Sequence, residues 1–141
     1  MNFLRVLVLS ALAGACLFSA VYLYFTEYAD PRTARELLEH PDGERAQKVM
    51  LLTLPSARMI PVNYLREADK VFAGADGGWW RELSGEAHPV TVLIKGDRLH
   101  GLGRTVEDDP VYIETIFKRL RPDSYRWIGG VLVEIQLDQA K

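Results

Sequence analysis

His88-Pro-Val-Thr-Val-Leu-Ile-Lys-Gly-Asp-Arg-Leu-His-Gly-Leu-Gly-Arg104 decides the fold. Two β-like runs flank a Gly96-Asp97 dipeptide, which reads as a two-residue hairpin turn. With the turn there, Lys95 faces Arg98, Leu93 faces His100, Val92 faces Gly101 and Val90 faces Gly103. One face then carries Val90, Val92, Ile94 and Leu99 with Gly101 and Gly103. Bulky side chains opposite glycines predict a sheet that bends sharply or admits another backbone closely, as a small barrel does. Thr91, Lys95, Arg98, His100 and Arg104 gather on the other face as a basic strip.

Working upstream, residues 48–54 (KVMLLTL) read as a buried strand, a continuous apolar run too short for a helix and ended by Pro55. Residues 58–65 and 69–75 follow as strands around a polar turn at Arg66-Glu67-Ala68, with Pro61 marking an edge or a bulge. Asp30-Pro31 opens a short helix that includes Leu37 and Leu38. Downstream, Asp109-Pro110 opens another, whose Ile113, Ile116, Phe117 and Leu120 form one apolar face suited to covering a barrel. Residues 131–137 close the chain as a strand in which Val131, Val133, Ile135 and Leu137 alternate with Glu134 and Gln136.

Residues 6–25 form a run of 20 without a charge, the length a helix needs to cross a bilayer core. Tyr22, Tyr24 and Tyr28 suit the lipid–water boundary. The run is expected to be a single transmembrane anchor. Ala13-Gly14-Ala15 as a cleavage site and Ala-Gly-Ala-Cys16 as a lipidation box stay open as alternatives. Counted by arginines on either side, the charges lean toward a cytoplasmic domain. The organisation is therefore an anchor over 1–28, a helical linker over 29–47 and one domain over 48–141.

A net charge of −2 gives no overall basic field, which argues against a nucleic-acid partner. Cys16, the single cysteine, lies in the apolar run, so the domain holds no disulfide and no cysteine metal cluster. His40, His88 and His100 lack metal-ligand spacing, and the hairpin register sets His88 near Thr105 and His100 near Leu93. No nucleophile elbow, phosphate loop or paired-carboxylate pattern occurs, which disfavours a hydrolase. What remains is Gly74-Ala75-Asp76-Gly77-Gly78 before Trp79-Trp80. Small residues there let backbone N–H groups approach a ligand, and a short helix starting near Trp79 would aim its positive end at an anion. Taken by themselves, the same residues read sooner as a tight turn with two core tryptophans. Arg58, Arg81, Lys95 and Arg104 are candidate phosphate contacts.

The double-glycine turn, Trp79-Trp80-Arg81-Glu82-Leu83, Pro89-Val-Thr-Val and the glycine turn after them resemble the flavin- and deazaflavin-dependent nitroreductase or quinone reductase family. The resemblance covers roughly residues 48–121 and implies a split β-barrel of the pyridoxamine-phosphate-oxidase type: mainly β with flanking helices (α+β), of about six strands, here preceded by the transmembrane helix. It implies hydride transfer to a quinone- or nitro-type acceptor, with FMN or deazaflavin as cofactor and a homodimer as the frequent assembly. Carried onto this chain, Ser56 and Arg58 would meet the cofactor phosphate, Asn63 and Tyr64 would line the second strand, and Ala75, Asp76, Gly77, Gly78, Trp79 and Trp80 would surround the ring. No catalytic acid or metal site is assigned. The family's glycine- and lysine-rich first turn is here Leu54-Pro55-Ser56-Ala57-Arg58, and Glu82 stands where asparagine is common. A membrane-tethered barrel that binds a protein partner without catalysis is the rival reading. The anchor makes the lipid bilayer a partner, and a lipophilic small molecule a sensible acceptor.

Overall fold

The computed structural model describes residues 6, 8, 10, 12–16, 30–123 and 130–139. Strands β1 (Val49–Thr53), β2 (Met59–Glu67), β3 (Lys70–Ala75), β4 (His88–Ile94), β5 (Asp97–Val106) and β6 (Val131–Leu137) close into a barrel in the order β1-β2-β3-β6-β5-β4. Every pairing is antiparallel. Met50, Leu52, Val71, Ala73, Val92, Val133 and Ile135, at alternate positions of their strands, fill the interior, and Leu83 joins them from a 3₁₀ helix at Gly78–Leu83. Period-2 alternation thus buries one face of each strand, as the sequence pattern requires.

Two helices lie outside. Helix α1 (Asp30–Glu39) and a short 3₁₀ helix (Arg45–Gln47) pack Leu37 and Ala46 on Leu51 of β1. Helix α2 (Pro110–Leu120) starts at the expected cap, where the Asp109 carboxylate accepts from the Tyr112 N–H at 3.0 Å. Its Ile113, Ile116 and Phe117 cover Phe72, Val106 and Leu132 on the outer face of β3, β6 and β5. Most of the expected membrane span over 6–25 lies outside the described residues, and those of its residues that are described are helical and exposed. Among the described residues no helix is long and apolar enough to cross a membrane.

The hairpin register differs from the expected one. The turn is Lys95-Gly96, so Val90 faces Gly101, Val92 faces Leu99, Thr91 faces His100 and His88 faces Gly103. Lys95 and Gly96 have φ of 50° and 85°, the doubly positive pair of a type I′ turn. That turn favours glycine at its second central position, which puts Lys95 rather than Asp97 in the loop. Every pairing shifts by two, which is the strand period, so the faces survive. The β2–β3 turn is likewise displaced, to Ala68-Asp69 between the paired Glu67 and Lys70, with Ala68 at φ 51°. Since lysine is a poor left-handed residue, Lys95→Asn is expected to stabilise the chain by about 0.5 to 1 kcal/mol, read as a higher urea midpoint.

The barrel departs from a regular one in two places. Gly101 faces inward where β6 crosses closest: a Cβ there would collide with the Gln136 carbonyl oxygen and lie 3.1 Å from the Leu137 Cα. Strand β2, meanwhile, pairs with β1 over residues 59–63 and with β3 only over residues 64–67. Gly74 and Ala75 of β3 are therefore paired with β6 but have no β2 partner in the ladder.

Candidate functional site

The residues expected to touch a cofactor divide into two groups. Ser56 and Arg58 sit in the exposed turn between β1 and β2, while Asn63 and Tyr64 lie about five residues along β2, roughly 16 Å away at about 3.3 Å per residue. At the turn, the Ser56 N–H donates to Glu82 Oε1 at 3.1 Å, so a carboxylate of the chain itself holds the donor expected to meet a phosphate. Arg58 is exposed and belongs to no ion pair among the described residues.

The glycine break is also filled from within. A Cβ on Gly78 would strike the Arg81 guanidinium, which stacks 5.2 Å from the Trp80 ring, and one on Gly77 would lie 3.8 Å from Trp79 Cδ1. Trp79 and Trp80 are both half-buried and pack against the barrel core. Ala75 is buried, and Asp76 forms a two-pronged ion pair with Arg121 at 2.9 Å on each oxygen. The expected helix at Trp79 is a six-residue 3₁₀ turn, too short to act as an anion-binding helix terminus. At both the break and the Ser56 turn, side chains of the chain itself stand where the ring and phosphate are expected.

Asn63 and Tyr64 stand differently. They line a groove of about 440 Å³ outside the barrel, together with Lys48 at the head of β1 and Arg119 and Arg121 at the end of α2. The groove lies beside the interruption of the β2–β3 ladder. There Arg121 donates to the Gly74 carbonyl at 3.2 Å and rests 5.4 Å from the Phe117 ring. Its guanidinium thus satisfies an acceptor that β2 leaves free. Gly74 has no side chain because a Cβ would lie 2.7 Å from both Arg121 Nη2 and Phe117 Cε1. The Tyr64 hydroxyl donates to the Ala46 carbonyl at 3.2 Å, and burial pushes its phenol above the ordinary value against a smaller opposing effect of Arg66. Tyr64 therefore offers its ring rather than an acid. Arg119 pairs with Glu67, whereas Lys48 and Asn63 have no ion pair or side-chain hydrogen bond among the described residues. Asp123 also lines the groove, and with Arg119 paired to Glu67 and Arg121 to Asp76, Lys48 is its one cation outside an ion pair among the described residues.

The sequence pattern points to Asn63 and Tyr64 but not to Lys48, Arg119 and Arg121. Lys48 looks like the polar end of an apolar run, and the arginines like the solvated end of a covering helix; their convergence depends on α2 folding back across β2. Of the other phosphate candidates, Arg104 is engaged by Glu134 at 3.3 Å, and Lys95 lies in the hairpin turn. Glu134, solvent-facing by its alternation with apolar residues, is instead buried under α2, where it accepts from the Tyr112 hydroxyl at 2.6 Å and lies 3.7 Å from Lys70. Its carboxylate is buried and fully engaged, with the Lys70 and Arg104 cations half exposed at its rim.

No protein-family profile and no curated protein sequence matches the chain. Among solved structures it is similar to that of a candidate pyridoxamine 5'-phosphate oxidase from Listeria innocua, with a TM-score of 0.51 and 18% identity, over 67% of this chain and 89% of that one. At that identity the likeness establishes the split-barrel fold.

Proposed function

We propose that this chain is a membrane-anchored, flavin- or deazaflavin-dependent reductase that passes hydride to a quinone- or nitro-type acceptor, with its cofactor in the groove beside β2. The observation that supports it is the convergence of Asn63 and Tyr64 with Lys48, Arg119 and Arg121 around one groove of about 440 Å³. Lys48 supplies a cation that belongs to no ion pair among the described residues, suited to a phosphate or to an anionic ring. The Asn63 amide offers a donor and an acceptor to ring edges, and Tyr64, pinned by Ala46, presents a fixed aromatic surface. A bound flavin-type ring would supply the hydride chemistry itself, so the chain's share is to orient that ring and shed water from it. Residues 6–25 would keep the barrel at the bilayer, where lipophilic acceptors concentrate.

The test is an absorbance titration of the detergent-purified chain with FMN and with a deazaflavin. A perturbed ring spectrum is expected, and Lys48→Glu is expected to weaken binding at least tenfold, about 1.4 kcal/mol, without lowering the urea midpoint. An unperturbed spectrum with both cofactors would sink the reading. In that event the second reading gains, a non-catalytic tethered barrel. It is favoured by the Glu82–Ser56 hydrogen bond and by the filling of the glycine break with Arg81 and Trp79.

A further inference from the structure

Beside α1, the 3₁₀ helix at Arg45–Gln47 and the β1–β2 pair lies a second hollow, of about 350 Å³, lined by Glu36, Glu44, Arg45, Lys48, Val49 and Asn63. Lys48 and Asn63 also line the cofactor groove. We infer that this second hollow receives the acceptor of the proposed reduction as an uncharged molecule, and that Lys48 stabilises the negative charge the acceptor gains, a placement that rests on the cofactor lying in the groove. The wall between the two spaces is set by the sheet. Val49 faces Asn63 across the β1–β2 ladder, and the Tyr64 N–H donates to the Lys48 carbonyl at 3.1 Å. Hydride passes between atoms about 3 to 3.5 Å apart, so ring and acceptor must meet where the two spaces share a wall. The residues common to both are Lys48 and Asn63, which are exposed and have no ion pair or side-chain hydrogen bond among the described residues.

The charges of the hollow favour a neutral occupant. Glu36 and Arg45 pair at 3.0 Å, and the carboxylate of Glu44 offsets the ammonium of Lys48, so two acids stand against two cations. Such a balance exerts no net pull on a phosphate-bearing molecule and none against a quinone. A quinone that receives hydride at one oxygen forms an O–H bond there, with both electrons supplied by the reduced ring. Its C=O bonds become C–O bonds, and its second oxygen carries the negative charge until it takes a proton from water. That charge is absent before the transfer, so an ammonium held beside it lowers the barrier rather than merely tightening binding. The Asn63 amide adds a donor that can fix the orientation of a quinone oxygen. Helix α1, which contributes Glu36, begins five residues after the expected membrane span ends, at most about 18 Å of extended chain. The hollow is thereby kept near the bilayer, in which uncharged quinones dissolve.

The experiment uses the full chain in non-ionic detergent, in excess over whichever of FMN and a deazaflavin it binds, reduced anaerobically with borohydride and mixed with the uncharged naphthoquinone menadione. Ring reoxidation is followed by absorbance, and its rate is expected to saturate with menadione. Glu44→Trp, which fills the second hollow at an exposed position outside the groove, is expected to raise the half-saturating menadione concentration at least tenfold, with cofactor affinity and melting temperature unchanged. Lys48→Met is expected to lower the limiting rate about tenfold at saturating cofactor, and Lys48→Arg to restore most of it. Unchanged half-saturation in Glu44→Trp, with the cofactor still bound, would overturn the second hollow alone. An unchanged limiting rate in Lys48→Met would overturn the role of its charge. Failure of the unaltered chain to bind either cofactor would overturn the reductase reading, and this acceptor site with it.

Discussion

Gly101→Ala is expected to lower the folding stability of this chain by about 3 kcal/mol, the upper end of what overpacking costs. The reason is the immobility of what a new methyl would meet. The Gln136 carbonyl and the Leu137 Cα belong to the β6 backbone, held in the ladder by pairings of Gly101 with Leu137 and of Leu102 with Gln136. Backbone in a closed sheet cannot turn aside as a side-chain tip can, so the strand must shift or the ladder must open. Gly103→Ala is the internal control. The atoms nearest its Cβ would be side-chain carbons of Leu83, Val90 and Ile135 at 3.4 to 3.5 Å, and a loss of about 1 kcal/mol or less is expected. Urea unfolding in non-ionic detergent measures both, and equal losses would contradict the close β5–β6 crossing.

The second large effect concerns Glu134. Removing its carboxylate by Glu134→Ala leaves the Tyr112 hydroxyl without its 2.6 Å acceptor and frees two cations. Breaking a fully buried pair costs about 3 to 5 kcal/mol, but Arg104 and Lys70 are half exposed and turn to water, so about 2 kcal/mol is expected. The pH profile carries a sharper signature. Burial raises the Glu134 carboxyl, yet the Tyr112 hydroxyl, Lys70 and Arg104 together hold it below the ordinary glutamate range. Its stabilising effect is therefore present above that range and lost as pH falls through the depressed value. Tyr112 titrates the opposite way, pushed up to about 12 by burial first and then by its bond to Glu134. Its contribution is complete below pH 10 and lost as pH rises toward 12, because the unfolded chain gives up that proton first. Tyr112→Phe is expected to flatten the alkaline limb of urea midpoint against pH and to weaken the acid limb in part, because the Glu134 carboxyl loses the largest of the effects that depress it while Lys70 and Arg104 remain.

These residues also mark how far the sequence can be read. Val90 and Val92 on one face with glycines announce a bent, closing sheet, and period-2 alternation keeps that face through a two-residue slip in register, although Val92 then faces Leu99 and only Val90 still faces a glycine. The cap and apolar face of α2 are equally legible, because a helix start is a local event. Glu134 is not: a carboxylate alternating with apolar residues reads as solvent-facing, and only the placement of α2 over β6 reverses this. For the same reason the groove is half visible. Asn63 and Tyr64 lie on one strand, but Lys48 and Arg119 reach them from β1 and α2, which no local spacing encodes. Ser56 and the double glycine invite a ligand reading that Glu82, Trp79 and Arg81 answer from within the chain.

A closed sheet has no free edge from which another polypeptide could prolong it, and amyloid-like or strand-swapped growth needs such an edge. The stretch of β2 without a β3 partner is one interruption of the ladder where such a template could form. Pro61 in that stretch has no N–H to lend, and Arg121 has already taken the Gly74 carbonyl across from it. At that interruption the main chain is thus poorly placed to recruit a second copy.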